Sequence, residues 1–245
     1  MVFYPPSWLP KLPDVPTDVS IPDFMLNDRP GRHPLRDSRN MFTDGLSGKT
    51  YNVQQTIERV DHIAQGLQKE LGWKPETSEW EKIAGFFSVN TIDTIPLSWA
   101  VHKLGGICSP ANAAYSQFEL EHQMRDSGAS CIFTCLPLLE MTLGVAKKLN
   151  IPKEKVFILE LPKEATDGKP SPKGFKTVSD IAEQGKNAPK VAPLKWDKGE
   201  GTKRVAFLCY SSGTSGLPVS APCLRPGHLS TPANLATERC NDLAP

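Results

Sequence analysis

The feature that most constrains this chain is a repeated alternation of two apolar rhythms. Short runs dense in β-branched and aromatic residues are each followed by a longer run whose apolar positions recur every three or four residues. Val53, Ile57, Val60, Ala64, Leu67 and Leu71 set the longer interval and predict a core-facing helix, with Asn52 as N-cap and Gly72 as its stop. Residues 83–89 then read as a short buried strand, and a helix opens at 90–93 and ends at Gly105-Gly106. Residues 107–109 are strand-like. Ser116-Gln117-Phe118-Glu119 is a capping-box pattern that opens a helix stopping near Gly128. Strands at 131–134, 156–159 and 205–209, with a helix over 136–149 ending at Asn150, continue the series. Repeated strand-helix units of this kind predict an α/β fold: a parallel sheet flanked by helices.

The flanks differ. Residues 1–44 form a proline-rich strap in which Pro5, Pro6, Pro10, Pro13, Pro16, Pro22, Pro30 and Pro34 forbid long helices. Trp8, Leu9, Ile21, Phe24, Met25 and Leu26 are its candidate anchors, and a loosely held terminus is the competing expectation. Asp44-Gly45 marks a hairpin turn leading through Thr50-Tyr51 to the first helix. Residues 162–176 read as a surface loop and 180–183 as a short helix. The segment 195–204 reads as a solvated connector, since acidic residues interrupt its basic runs around Trp196.

Composition excludes several classes. The 245 residues are 39% hydrophobic, enough for a buried core, and the net charge of +1 gives no reason to expect a nucleic-acid partner. No stretch reaches membrane-spanning length, and the first residues lack a secretory pattern. The six cysteines are therefore expected as reduced, buried thiols rather than bridges. A cytoplasmic location follows as the expectation, with a peroxisomal one open for a longer form but no targeting signal in these residues.

Chemistry concentrates in one passage. The apolar run Val205-Ala206-Phe207-Leu208-Cys209 feeds directly into Tyr210-Ser211-Ser212-Gly213-Thr214-Ser215-Gly216-Leu217-Pro218. Glycines at 213 and 216 allow consecutive amides to converge on an anion, and the hydroxyls of Ser211, Ser212, Thr214 and Ser215 add donors. Composition alone leaves a flexible turn as the alternative. The Gly-Lys-Ser/Thr ending of a kinase-type phosphate loop is missing, which disfavours a phosphotransferase.

The string at 210–218 closely resembles the AMP-binding signature of the adenylate-forming superfamily of acyl-CoA synthetases, 4-coumarate:CoA ligases, luciferases and peptide-synthetase adenylation domains. Phe86-Phe87-Ser88-Val89-Asn90-Thr91-Ile92-Asp93, Gly105-Gly106-Ile107-Cys108-Ser109-Pro110-Ala111-Asn112, Tyr115 and Ser127-Gly128-Ala129 resemble its earlier motifs in order. Within the superfamily the chain is most similar to fungal aryl- and acyl-CoA ligases of the 4-coumarate or phenylacetate kind.

The resemblance implies an incomplete N-terminal domain of the acyl-CoA synthetase/luciferase-like fold at 45–218. It also implies an ATP-dependent acid:CoA ligase that converts an aryl or fatty carboxylic acid to acyl-AMP and passes the acyl group to coenzyme A. ATP and Mg2+ would be needed, with coenzyme A as co-substrate. Ser211, Ser212, Gly213, Thr214, Ser215 and Gly216 would contact phosphate, and Thr214 is the strongest single choice. No catalytic residue and no protein metal ligand is assigned.

After Pro218 the pattern breaks. The family continues with lysine, whereas Val219-Ser220-Ala221-Pro222-Cys223 stands here. A lost charge-assisted hydrogen bond is worth about 1.5 to 3 kcal/mol, or roughly tenfold to a hundredfold in phosphate affinity. Residues 219–245 carry neither helical nor strand periodicity and are expected to be an aberrant, disordered tail. The family's adenine pocket, acyl pocket and mobile C-terminal domain lie beyond this point, so these residues alone are expected to be inactive. Val219-Ser220 matches a splice-donor sequence read through, which suggests a retained intron or gene-model error. A non-catalytic short isoform or partner-binding fragment is the alternative.

Other polar candidates are weaker. Cys131 and Cys135 lack a second ligand pair and read as buried thiols. His33, His62, His102, His122 and His228 are scattered and carry no assignment. Glu119, Glu121 and Asp126 share one helix and read as capping or solvated acids.

Overall fold

A computed structural model of the chain describes residues 16–28, 34–37 and 39–211, the backbone of 219–224, and Pro6 and Trp8. The elements in chain order are α1 (Ile21–Leu26), β1 (Phe42–Thr43), β2 (Thr50–Tyr51), α2 (Val53–Leu71), β3 (Ile83–Phe87), α3 (Thr94–Lys103) and β4 (Ile107–Pro110). There follow α4 (Gln117–Ser127), β5 (Cys131–Thr134), α5 (Leu139–Lys148), β6 (Val156–Ile158), α6 (Val178–Lys186), β7 (Val205–Ser211) and β8 (Val219–Leu224).

The main sheet runs β6-β5-β3-β4-β7-β8. Its first five strands are parallel, and β8 joins the outer edge antiparallel to β7. Every residue of β3 is buried, as a strand covered on both faces requires. Alternation divides them: Ala84 and Phe86 face one core, Ile83 and Phe87 the other. On the first face, covered by α2, α3 and α6, register aligns Phe86, Phe133 and Phe157 across three strands. Their ring centroids lie 5.5 and 5.1 Å apart, a continuous aromatic row. The second face is covered by α4 and α5 through Leu120, Met124 and Val145.

Helix boundaries follow their caps. Asn52 accepts from the Gln55 amide at 2.8 Å while the Gln55 side chain accepts from the Asn52 amide at 2.9 Å, and Gly72 ends α2 with φ of 68°. Of the expected stripe of α2, Val60, Ala64 and Leu67 are buried and Val53, Ile57 and Leu71 half-buried, while Thr56 and Ile63 are buried beside them. Ser116 and Glu119 form the expected box on α4, and Asn150 ends the α5 segment at positive φ of 56°. The short helix expected at 180–183 is longer, because Thr177 and Asp180 form a third capping box.

In the strap, Ile21, Met25 and Leu26 on α1 pack against the first core, whereas Trp8 is exposed. Thr17 fixes the strap to the connector: its carbonyl accepts from the Gly201 amide at 2.7 Å, and its Oγ1 accepts from the Gly199 amide at 3.0 Å.

One expectation is corrected. Residues 219–224 carry no strand periodicity of their own, yet Val219–Leu224 pairs along β7 from Ser211↔Val219 to Val205↔Leu224. The unpaired ladder groups along β7's free edge supply the missing drive. Pro222 is tolerated because β8 is an edge strand with an outer side that needs no donor. Residues 225–245 lie outside the described residues.

Candidate functional site

The parallel strands place their carboxyl ends along one margin of the sheet, where α/β proteins build ligand sites. β7 brings Tyr210 and Ser211 to that margin, and Ser211 is exposed. Of the sequence-derived phosphate contacts, Ser211 is the one described; Ser212, Gly213, Thr214, Ser215 and Gly216 lie outside the described residues. Both flanks of segment 212–218 belong to the β7–β8 ladder, whose last pair is Ser211↔Val219.

Behind β7 a buried relay ties the strand to its neighbours. Gln123 Nε2 on α4 donates to Ser109 Oγ and to the Pro110 carbonyl, each at 3.0 Å, and Ser109 Oγ donates to the Leu208 carbonyl at 3.5 Å. On the other face His102 is fully buried, and its Nε2 lies 3.0 Å from the Ala206 carbonyl. A carbonyl only accepts, so Nε2 carries the proton. Phe207 meets the His102 ring edge-on at 4.8 Å. His102 thus packs the root of β7 and is not placed at the margin.

Tyr210 supplies a contact that spacing could not reveal. Its hydroxyl donates to Asp126 Oδ2 on α4 at 2.6 Å, across 84 residues of sequence. Burial, then the Asp126 hydrogen bond and charge, push the Tyr210 phenol well above its ordinary range. Burial and the Glu119 charge also raise Tyr115. The three α4 acids therefore separate by role. The Ser116 hydroxyl and amide donate to Glu119 and hold its carboxyl below the usual range. Lys148 and then Arg125 do the same for Glu121. Asp126 faces β7.

The cysteine reading agrees with the geometry: Cys131 and Cys135 are buried, and burial raises the Cys131 thiol far above its ordinary range. Among the described residues no group of three or more His, Cys, Asp or Glu side chains could hold a metal ion, and no helix is long and apolar enough to cross a membrane. A cleft of about 390 Å³ opens beside Asp93, Glu160 and Ser179, but these groups already bond to Arg59 or to one another.

The fold is a parallel α/β sheet, and its last parallel strand, β7, ends at the carboxyl margin where sheets of this class hold their ligands. The profile of the family described as AMP-binding enzyme matches residues 29–220, and the chain belongs to that family. Acyl-CoA ligase easD of Emericella nidulans is 36% identical over 219 residues, covering 88% of this chain and 39% of that protein. Acyl-CoA ligase cm3C of Cordyceps militaris is 37% identical over 235 residues, covering 88% of this chain and 36% of that one. The chain thus spans about two fifths of the length of these relatives.

Among solved structures, the anthranilate CoA ligase AuaEII in complex with anthranoyl-AMP aligns with a TM-score of 0.65 at 18% identity, covering 86% of this chain and 35% of that one. A red-emitting luciferase from Phrixothrix hirtus aligns at 0.57 and 20% identity, covering 74% and 41%. At such identities these two show the fold: that of the adenylate-forming enzymes.

Proposed function

We propose that this chain is the N-terminal portion of an ATP-dependent acid:CoA ligase, with the family domain at 45–218 and the phosphate contacts at Ser211, Ser212, Gly213, Thr214, Ser215 and Gly216. The observation that carries this is the family match running through β7 into the hydroxyl-rich segment. Its relatives easD and cm3C are named acyl-CoA ligases. In the reaction a carboxylate attacks the α-phosphate of Mg-ATP, pyrophosphate leaves, and the coenzyme A thiol displaces AMP from the acyl adenylate. Amides and hydroxyls of the segment would hold the β- and γ-phosphates and stabilise charge on the departing pyrophosphate, as preorganised donors do at a developing oxyanion. The substrate class is an aryl or fatty carboxylic acid.

The test is acid-dependent exchange of pyrophosphate into ATP, with a panel of aryl and fatty acids. A form extended to the relatives' length should exchange, and Thr214→Ala should lower exchange by roughly tenfold or more, the scale of one lost transition-state donor. The 245 residues alone should not exchange. An extended form inert with every acid, or one indifferent to Thr214→Ala, removes the reading.

A second reading, a non-catalytic partner-binding fragment, draws on Val89, Ile95 and Phe118, which are 47%, 42% and 67% exposed. All three follow the carboxyl ends of β3 or β4, on the margin that bears Ser211. Saturable binding of the 245-residue chain to the remaining part of the extended form, lost in Phe118→Ser, would favour it.

A further inference from the structure

β4 and β7 are neighbours in the sheet, yet their register holds at one position, Cys108↔Phe207, where that of β3 and β4 holds at four. The reason is a proline. The amides of Ile107 and Ala111 donate toward β3, to the Lys82 and Phe86 carbonyls. Amides alternate sides along a strand, so positions 108 and 110 face β7. Cys108 is therefore the residue that bonds to β7, and the next acceptor in a parallel ladder, the Leu208 carbonyl, should receive its hydrogen from the amide of residue 110. Pro110 has none. The Ser109 hydroxyl reaches the Leu208 carbonyl instead, at 3.5 Å. Its one hydrogen is free to do so because its oxygen accepts from Gln123 Nε2 at 3.0 Å. The other Nε2 hydrogen goes to the Pro110 carbonyl, which can only accept and so fixes which way the Gln123 amide is turned. Ser109 and Gln123 are both 0% exposed, so the substitution is made in the interior, where an undonated carbonyl is costly.

We infer that Ser109 and Gln123 form a clasp that replaces the ladder bond lost at Pro110, and that this clasp governs local opening of the carboxyl half of β7 away from β4. Backbone pairing joins the two strands at Cys108, and past it the Ser109 hydroxyl spans the gap. Tyr210 bonds to α4 through Asp126, but that carboxylate is exposed, so water can take over its bond during an opening. On its other side β7 is paired with β8 as far as Ser211↔Val219, so the two strands part from β4 together. The seam is independent of whatever binds beyond Ser211.

The test is native-state hydrogen exchange of the 245-residue chain, read amide by amide by NMR. Ser109→Ala should speed exchange of the Leu208 and Tyr210 amides, which face β4, by roughly fivefold, the scale of one net hydrogen bond. The Cys209 amide, on the β8 side where it pairs with Ala221, should keep its rate. Pro110→Ala restores the missing amide, so in that background Ser109→Ala should change the same rates by less than about twofold. That dependence on residue 110 separates a ladder surrogate from a serine that merely fills space. Unchanged exchange at Leu208 and Tyr210 in Ser109→Ala, an equal rise at Cys209, or the same loss in both backgrounds overturns the clasp. Should Ser109→Ala fail to fold, Pro110→Ala must restore folding, and a double variant that stays unfolded overturns the clasp as well.

Discussion

Arg59 meets Asp93 edge to edge, Nε to Oδ1 at 2.9 Å and Nη2 to Oδ2 at 2.7 Å, joining the middle of α2 to the start of α3. Tyr51 donates to the same carboxylate at 3.3 Å, and Arg59 Nη2 also reaches Ser179 Oγ at 3.1 Å, so the pair stitches the hairpin, two helices and α6 together. Burial acts to lower the guanidinium pKa, and the Asp93 hydrogen bond and charge outweigh it. Removing one partner strands the other, since Asp93 is only 9% exposed. Arg59→Ala should cost about 3 to 5 kcal/mol in urea unfolding. Arg59→Met with Asp93→Leu should recover much of that loss, because the stranded charge goes too. A single-variant loss below about 1 kcal/mol, the scale of a surface pair, would show the bridge to be solvated.

The contact of α2 with α6 depends on two glycines. A Cβ on Gly66 would stand 2.1 Å from the Ile181 carbonyl oxygen, and one on Gly185 would stand 1.8 Å from that of His62. In an open helix Gly→Ala gains about 1 kcal/mol of propensity. Here backbone blocks the methyl, and forced separation of packed elements costs about 1 to 3 kcal/mol or more. Gly185→Ala should therefore destabilise, with a lowered urea midpoint. Stabilisation instead would mean that the helices part freely.

These glycines mark the limit of what the chain revealed in one dimension. Strands were legible because buried runs such as Cys131–Thr134 have no other use, and helix ends were legible because caps are local: Asn52 with Gln55, Ser116 with Glu119, Gly72 in the left-handed region. The family was legible because the residues of its motif at 210–218 are contiguous in the sequence. Asp126 was not, since its partner lies 84 residues away and its own helix offered two similar acids. The strand β8 was missed for another reason: its formation is dictated by β7's unpaired edge and not by its own pattern. In α2 the expected stripe holds at Val60, Ala64 and Leu67 but not in the first turn, where Thr56 is buried instead of Val53 and Ile57 and its hydroxyl donates to the Asn52 carbonyl at 2.8 Å.

Lys82 is 1% exposed. Its ammonium donates to the Lys74 carbonyl at 2.6 Å and the Thr77 carbonyl at 2.8 Å, closing the loop ahead of β3. Lys82→Met keeps the packed stem and removes these charge-assisted bonds, each worth about 1.5 to 3 kcal/mol. The variant should lose at least that much in chemical denaturation and expose the 74–77 amides to faster hydrogen exchange. Exchange unchanged there would mean the loop is held without the lysine.

Tyr210 gives the fold an alkaline limit. A phenol becomes charged on losing its proton, and burial with the Asp126 carboxylate raises its folded pKa above the ordinary value of about 10. Below that ordinary value both states keep the proton and stability is constant with respect to this group. Above it the unfolded chain loses its proton first, so the folded state binds more protons and stability declines as pH rises toward the folded value. Tyr115 contributes in the same direction, through burial and Glu119. Urea midpoints taken from about pH 8 to about pH 11 should therefore fall in the upper part of that range, and fall less steeply in Tyr210→Phe. Tyrosinate absorbance should show fewer than the chain's four tyrosines ionising before the structure is lost. Equal slopes in the two proteins would mean that Tyr210 ionises freely in the folded state, and that its bond to Asp126 is not kept in solution.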